Sequence, residues 1–323
     1  MNIFDSFAAG YAALQENCFR FVVEPVLFQL GLIAWAEDAY DGTEWSLLGI
    51  IQIIIIFLVL RTWEKRNPAE DQSAYSKAKW PDIAYTLFHR LGFFQLFLFV
   101  IFSSVFFQLE SVLHDWRFER FNVEDWWPGI TTIPLVSFCI YLVLLDFVDY
   151  AYHRASHRFQ WWWQLHALHH SQQAMNAWSD DRNHVLDDIM RALVFSSFAM
   201  LFGVPPSQFI LLVVCSQLIQ SWQHANLKID LGLGRYLLVS PLFHRLHHAV
   251  GYGHEAKGKP GVLGGCNFGV LFPWWDMIFR TAVFPDGVYP TGVRDLQMPN
   301  RILAQQWQAL RNSLQAVFSF NRK

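Results

Sequence analysis

Apolar residues along this chain fall into runs separated by polar stretches, at residues 21–35 (interrupted by Glu24), 45–60, 92–109 and 130–148. A helix needs about 20 apolar residues to cross the hydrocarbon of a bilayer, and the last three runs approach that length. Each of the three predicts a transmembrane helix, and the first predicts a partial or tilted span. Two shorter runs, 192–204 and 207–222, flank Pro205-Pro206. Proline interrupts a helix, so the pair predicts a helical hairpin that dips into the membrane and returns to the same side. The first twenty residues lack the basic start and apolar core of a signal peptide and read as an amphipathic helix. The first apolar run is therefore expected to be kept as an anchor. From about Asp286 the chain turns polar and amphipathic, which predicts a soluble tail. The expected architecture is all-α. It is a polytopic membrane protein with about four transmembrane helices, a re-entrant helical hairpin and a cytoplasmic histidine-rich cap. Its parts are an N-terminal membrane region (1–129), a histidine-bearing region (130–284) and a polar C-terminal tail (285–323).

Charge sets the expected orientation. Residues 1–44 hold one arginine and seven acids, whereas Arg61, Lys65, Arg66, Lys77, Lys79 and Arg90 crowd the segment after the second run. Lysine and arginine favour the cytoplasmic side, so residues 61–90 are expected there. Two further crossings then deliver the region after residue 148 to that same side. Over the whole chain 53% of residues are hydrophobic and only 16% charged, which suits a membrane protein. A net charge of −3 with no basic block gives no reason to expect a nucleic-acid partner. Cys18, Cys139, Cys215 and Cys266 form no CxxC pair, so neither a disulfide framework nor a zinc ribbon is expected.

The histidines change the picture. His153 and His157 are spaced i, i+4; His166, His169 and His170 are spaced i, i+3, i+4; and His244, His247 and His248 repeat the second spacing. On helices each set projects from one side. His184 and His224 fall in the same cytoplasmic regions and complete ten candidate ligands. So many imidazoles beside a membrane, without a metal, would leave many buried nitrogens unsatisfied. Ten ligands exceed what one ion takes, so two metals are expected. No HExxH is present, and the Glu-x-x-His pattern of carboxylate-rich di-iron bundles is missing. Imidazole suits iron, zinc, copper or nickel alike. Asp149, Asp187 and Asp188 stand three or four residues from candidate ligands and are expected to accept their far N–H groups. His89, His114 and His254 belong to no spaced set and read as ordinary surface or hydrogen-bonded residues. Tryptophans 161–163, 178, 222, 274 and 275 bracket the clusters and predict a site at headgroup depth.

With these residues in hand, the chain resembles the fatty acid hydroxylase/sterol desaturase superfamily. The resemblance rests on HRASH (153–157), HALHH (166–170) and HRLHH (244–248), in order, over roughly residues 130–284. His224-Ala225-Asn226, Asn267-Phe268-Gly269 and the WDMIFRT stretch (275–281) add smaller matches, with Arg280 where the family has glycine. Val185-Leu186-Asp187 follows His184 where the family has Pro-Leu-Glu. The resemblance implies that 130–284 is a fatty acid hydroxylase-type catalytic domain. It further implies a membrane-bound non-haem di-iron oxygenase that uses O2 to attack a C–H bond of a lipid, with zinc as a substitute in purified protein. Hydroxylation and desaturation share the same ligands, and modification of a lipid headgroup or ether bond stays open beside acyl-chain or sterol chemistry.

No dinucleotide fingerprint or iron–sulfur cysteine set is present, so electrons are expected from a separate ferredoxin or cytochrome with its reductase. The glycine-rich loop 251–265 reads as a lid, a docking element or a plain surface insertion. A zinc-dependent membrane hydrolase and a metal transporter or sensor are the competing readings. Transport sites usually place polar residues inside spanning helices, whereas these candidates sit at helix ends or beyond.

Overall fold

In the computed structural model, residues 3–72 and 80–320 are described; Lys77 and Lys79 lie outside the described residues. The chain is mostly helical and forms two compact units, Met1–Ile55 with Leu87–Trp116, and Ile56–Thr86 with Arg117–Lys323.

In the first unit, α1 (Ile3–Cys18) runs through a π turn (Phe19–Val23) into α2 (Glu24–Leu30). Gly31 then adopts φ 69°, a conformation glycine takes without a Cβ penalty, and ends the helix. The apolar run 21–35 is thus broken rather than a single span. After a short 3-10 turn comes α3 (Ala36–Ile55); the π turn (Ile56–Leu60) and α4 (Arg61–Arg66) that follow in sequence belong to the second unit. Trp80–Arg90 forms α5, and Phe93–Asp115 forms α6. At Gly49 a Cβ would lie 1.5 Å from the Arg90 carbonyl oxygen, so only glycine admits this approach.

In the second unit, Pro134 opens α7 (Pro134–Ser156), its fixed φ suiting the first helical turn. Among the described residues, three helices are long and apolar enough to cross a membrane: Ile33–Arg66, Phe93–Asp115 and Pro134–Ser156. They overlap the three long runs of the sequence, the third helix beginning only at Pro134, four residues into its run. Next come α8 (Gln160–His170), α9 (Val185–Leu201) and α10 (Pro206–His224), the last two separated at Pro205. Ser240 caps α11 (Pro241–His247), its side chain accepting the Phe243 N–H, with Pro241 in the first turn. Trp274–Ile278 forms the short α12.

One difference from the all-helical expectation, a two-stranded sheet, follows from local chemistry. Gly258, at positive φ, lies in the two-residue turn through which β1 (Glu255–Ala256) pairs antiparallel with β2 (Lys259–Leu263). The polar tail contains a 19-residue helix, α13 (Ile302–Phe320), which packs along α8. Ser313 Oγ donates to the Trp161 carbonyl at 2.7 Å, and Gln306 Nε2 to the Asn183 carbonyl at 2.8 Å.

Two buried carboxylates hold the loops that carry the site. Glu64 Oε1 accepts the backbone N–H groups of Ala177 and Asn226, each at 2.8 Å, joining the loop after α8 to the end of α10. Asp82 accepts from Arg182, Asn176 and Gln172. Burial raises its pKa, and these donors offset part of that rise.

Candidate metal centre

Nine of the ten sequence-identified histidines converge in two buried groups. His153, His157, His166, His170 and His247 form one; His169, His224, His244 and His248 form the other. In each group the candidate ligand atoms lie within 4.8 Å of one another.

The sequence motifs are shared between the groups, and helix geometry explains how. Successive residues turn by about 100°, so i and i+4 lie about 40° apart while i+3 points about 60° to the other side. His166 and His170 accordingly serve the first group and His169 the second. His244 and His248 serve the second group and His247 the first. The groups adjoin where the His170 ring stacks on His248, centroids 4.3 Å apart.

Hydrogen bonds fix the tautomers of four rings. A carbonyl oxygen only accepts, so the facing ring nitrogen carries the proton. His153 Nδ1–H donates to the Phe268 carbonyl (2.9 Å), His247 Nδ1–H to Cys266 (2.7 Å) and His224 Nδ1–H to Gln220 (2.8 Å). His166 Nδ1–H donates to Asp187 Oδ2 at 2.9 Å. Each Nε2 is left as a lone pair. Asp187 also accepts from Trp162 and the Tyr152 hydroxyl. Burial alone would raise this carboxyl, but His166 and these donors hold it below the usual carboxylate range.

The WDMIFRT stretch acts on the site through the backbone. The Asp276 carboxylate accepts the N–H groups of Phe268 (2.9 Å) and Gly269 (2.6 Å), fixing the loop whose Phe268 carbonyl orients His153. Asn267, at φ 59°, donates to the Phe243 and Val283 carbonyls and ties this loop to α11.

The rings present a donor set that fits metal ions. Burial, reinforced by neighbouring imidazoles, pushes His157, His169, His170, His244 and His248 well below the ordinary histidine range. Burial takes His247 down to about 3. These rings are neutral at physiological pH, and neutral imidazole is the ligating form. In the first group His157 and His247 Nε2 each lie 3.1 Å from His170 Nε2. In the second, His224 Nε2 lies 3.1 Å from His169 Nε2 and 3.0 Å from His244 Nε2. A cation about 2.0–2.1 Å from each nitrogen separates its ligands by roughly 3.0–3.4 Å. His153 Nε2 and His166 Nε2 are buried with no hydrogen-bond partner, as expected of lone pairs awaiting a cation.

The remaining candidates are placed differently. His184 joins neither group: it caps α9, its Nδ1 accepting the Leu186 N–H (3.1 Å), while its Nε2–H donates to the Gln306 carbonyl (3.0 Å). Asp149 pairs with Arg191. Asp188 lies half-buried on the first turn of α9. His114 is exposed as expected. His254 is not: it is buried, stacked on Trp163 at 5.2 Å, with both ring nitrogens unpartnered. The Trp163 ring in turn lies 4.9 Å from His157 and 5.2 Å from His170. The spacing of the histidines carries no sign of His254, because its place depends on the turn after α11. There Gly253 passes so close to His247 that a Cβ would lie 1.4 Å from its carbonyl oxygen.

Residues 138–281 match the fatty acid hydroxylase family, and that segment contains both histidine groups. Among individual relatives, the alkylglycerol monooxygenase of Caenorhabditis elegans is 28% identical over 170 residues, covering 53% of this chain and 30% of that one. The human alkylglycerol monooxygenase is 30% identical, covering 54% of this chain and 35% of its own. The ornithine lipid hydroxylase of Rhizobium tropici is 25% identical, covering 72% and 65%. The chain thus spans about a third of the length of the alkylglycerol monooxygenases it matches. No solved structure matches the chain.

Proposed function

We propose that this chain is a membrane-bound, non-haem di-iron oxygenase that hydroxylates a C–H bond of a lipid. The observation that carries the reading is the pair of adjoining all-histidine groups within the segment matching the fatty acid hydroxylase family. His153, His157, His166, His170 and His247 would hold one iron, and His169, His224, His244 and His248 the other. Iron bound there supplies O2 activation and attack on an unactivated C–H bond. In each turnover one oxygen atom enters the lipid as a hydroxyl and the other leaves as water, using two electrons and two protons. The electrons come from a separate ferredoxin or cytochrome with its reductase.

The chain's own contribution is orientation and exclusion of water. The carbonyls of Cys266, Phe268 and Gln220, with Asp187, lock ring tautomers and directions. Trp163 and His254 cover the first group. Relatives whose names specify monooxygenation or hydroxylation favour hydroxylation over desaturation, and favour a substrate carrying an ether or amino-acid headgroup. For the membrane, we place Arg61–Arg66 on the cytoplasmic side. Helices Phe93–Asp115 and Pro134–Ser156 then go out and return, bringing the metal site to that side. Helices α9 and α10 form the re-entrant hairpin.

The test is lipid mass spectrometry of cells expressing the chain under 18O2. A lipid gaining one 18O-labelled hydroxyl, absent with His169→Ala, is expected. An unlabelled product, or a change that persists without O2, contradicts the proposal.

A further inference from the structure

Outside the family-matched segment, α13 presents an apolar face with no partner among the described residues. Leu303, Trp307, Leu314 and Phe318 follow i, i+4, i+11, i+15, with Leu310 and Val317 between them, and therefore line one side of the helix. Exposure is high along this stripe: 83% at Leu303, 64% at Trp307 and 65% at Phe318. The opposite side, with Gln305, Ala309 and Ser313 buried, is the one packed on α8. The helix is thus inverted relative to an ordinary surface helix, keeping its polar and small residues inside and its large apolar ones outside.

We propose that this stripe is seated in a lipid leaflet, making α13 an in-plane membrane helix that holds α8 at headgroup depth. The inference rests on the membrane-enzyme reading above. Position argues for lipid. Helix α8 begins four residues after Ser156, the end of a membrane-crossing helix. Phe159 and Trp161, both exposed, stand at that junction, and Ser313 Oγ of α13 bonds the Trp161 carbonyl. The stripe therefore belongs to a helix fastened, through its opposite face, to the segment that follows the end of that membrane-length helix.

Chemistry argues the same way. Within α13 the sole charged residue is Arg311, exposed at the stripe's flank. A cation beside an apolar stripe with tryptophan suits an interfacial helix, whose apolar side enters about 5–10 Å below the headgroups. Nineteen residues span about 28 Å, so one face covers a long strip of leaflet. The consequence for the site is direct, because α8 supplies His166, His169 and His170.

The test places spin labels on the full chain in lipid nanodiscs and compares accessibility to O2, which dissolves in lipid, with that to a water-soluble nickel chelate. Labels go on Leu314→Cys and Phe318→Cys in the stripe, and on Gln315→Cys beside it. Val100→Cys on the apolar helix Phe93–Asp115 is the lipid-facing control, and identically treated unsubstituted protein reports the native cysteines. The proposal expects the O2-to-nickel ratio at 314 and 318 to match that at 100 and to exceed that at 315 several-fold. Nickel access at 314 and 318 equal to that at 315 would put the stripe in water and overturn it. Protection of 314 and 318 from both reagents would mean protein cover, such as a second copy, and overturn it equally. A water-accessible label at 100 would defeat the membrane reading itself, separating that failure from the others.

Discussion

Asp187 shows how a single residue sets the chemistry of its neighbour. Its carboxylate accepts a hydrogen bond from His166 Nδ1–H, which keeps the proton on that nitrogen and leaves Nε2 as the lone pair toward the first histidine group. Changing Asp187→Asn keeps the shape but replaces a charged acceptor with an amide that can present its NH2 group instead. Loss of such a support typically weakens metal binding by about 10–100-fold. Metal titration against a competing chelator is expected to show a fall in that range, with the fold retained by circular dichroism. The ligand types were legible in the sequence because their spacing is a property of one helix turn. The carbonyl acceptors were not, since Phe268 lies far along the chain from His153, and Cys266 from His247, and Phe268 reaches His153 only through the loop that Asp276 ties down.

At the scale of elements, helix ends do much of the positioning. His184 is a candidate ligand in the sequence by its place in the same region as the other histidines, yet its ring caps α9 and donates to the Gln306 carbonyl of α13. His184→Ala is therefore expected to destabilise the protein by about 1–2 kcal/mol through loss of the cap while leaving metal stoichiometry unchanged. Calorimetric unfolding and metal analysis on one sample check both halves. The long apolar runs announced three membrane-length helices because length and composition are local properties. The break at Gly31 was hidden inside the first run because apolar residues stand on both sides of it. The allocation of His166, His169 and His170 to different groups was hidden too, because α11 and the end of α10 must first be packed against α8.

Across the whole molecule, burying the imidazoles as neutral rings couples stability to pH. The unfolded chain's histidines protonate near pH 6.5, whereas burial holds the native rings far lower, with His247 at about 3. Between these values the unfolded state binds more protons, so stability of the metal-free protein falls as pH drops through about 6.5 and continues to fall toward about 3. Its apparent melting temperature is expected to be steady above pH 7 and to decline steeply below pH 6; a flat profile across that range would contradict the neutral-ring assignment. The same neutral rings are what a dinuclear centre requires. The most direct measurement is therefore metal content per chain, with Mössbauer spectra, on protein expressed with iron-57 and purified in detergent. Two coupled irons per chain, lost in His169→Ala, are the expected result. A single zinc, or no bound metal after full iron supply, would contradict the di-iron centre.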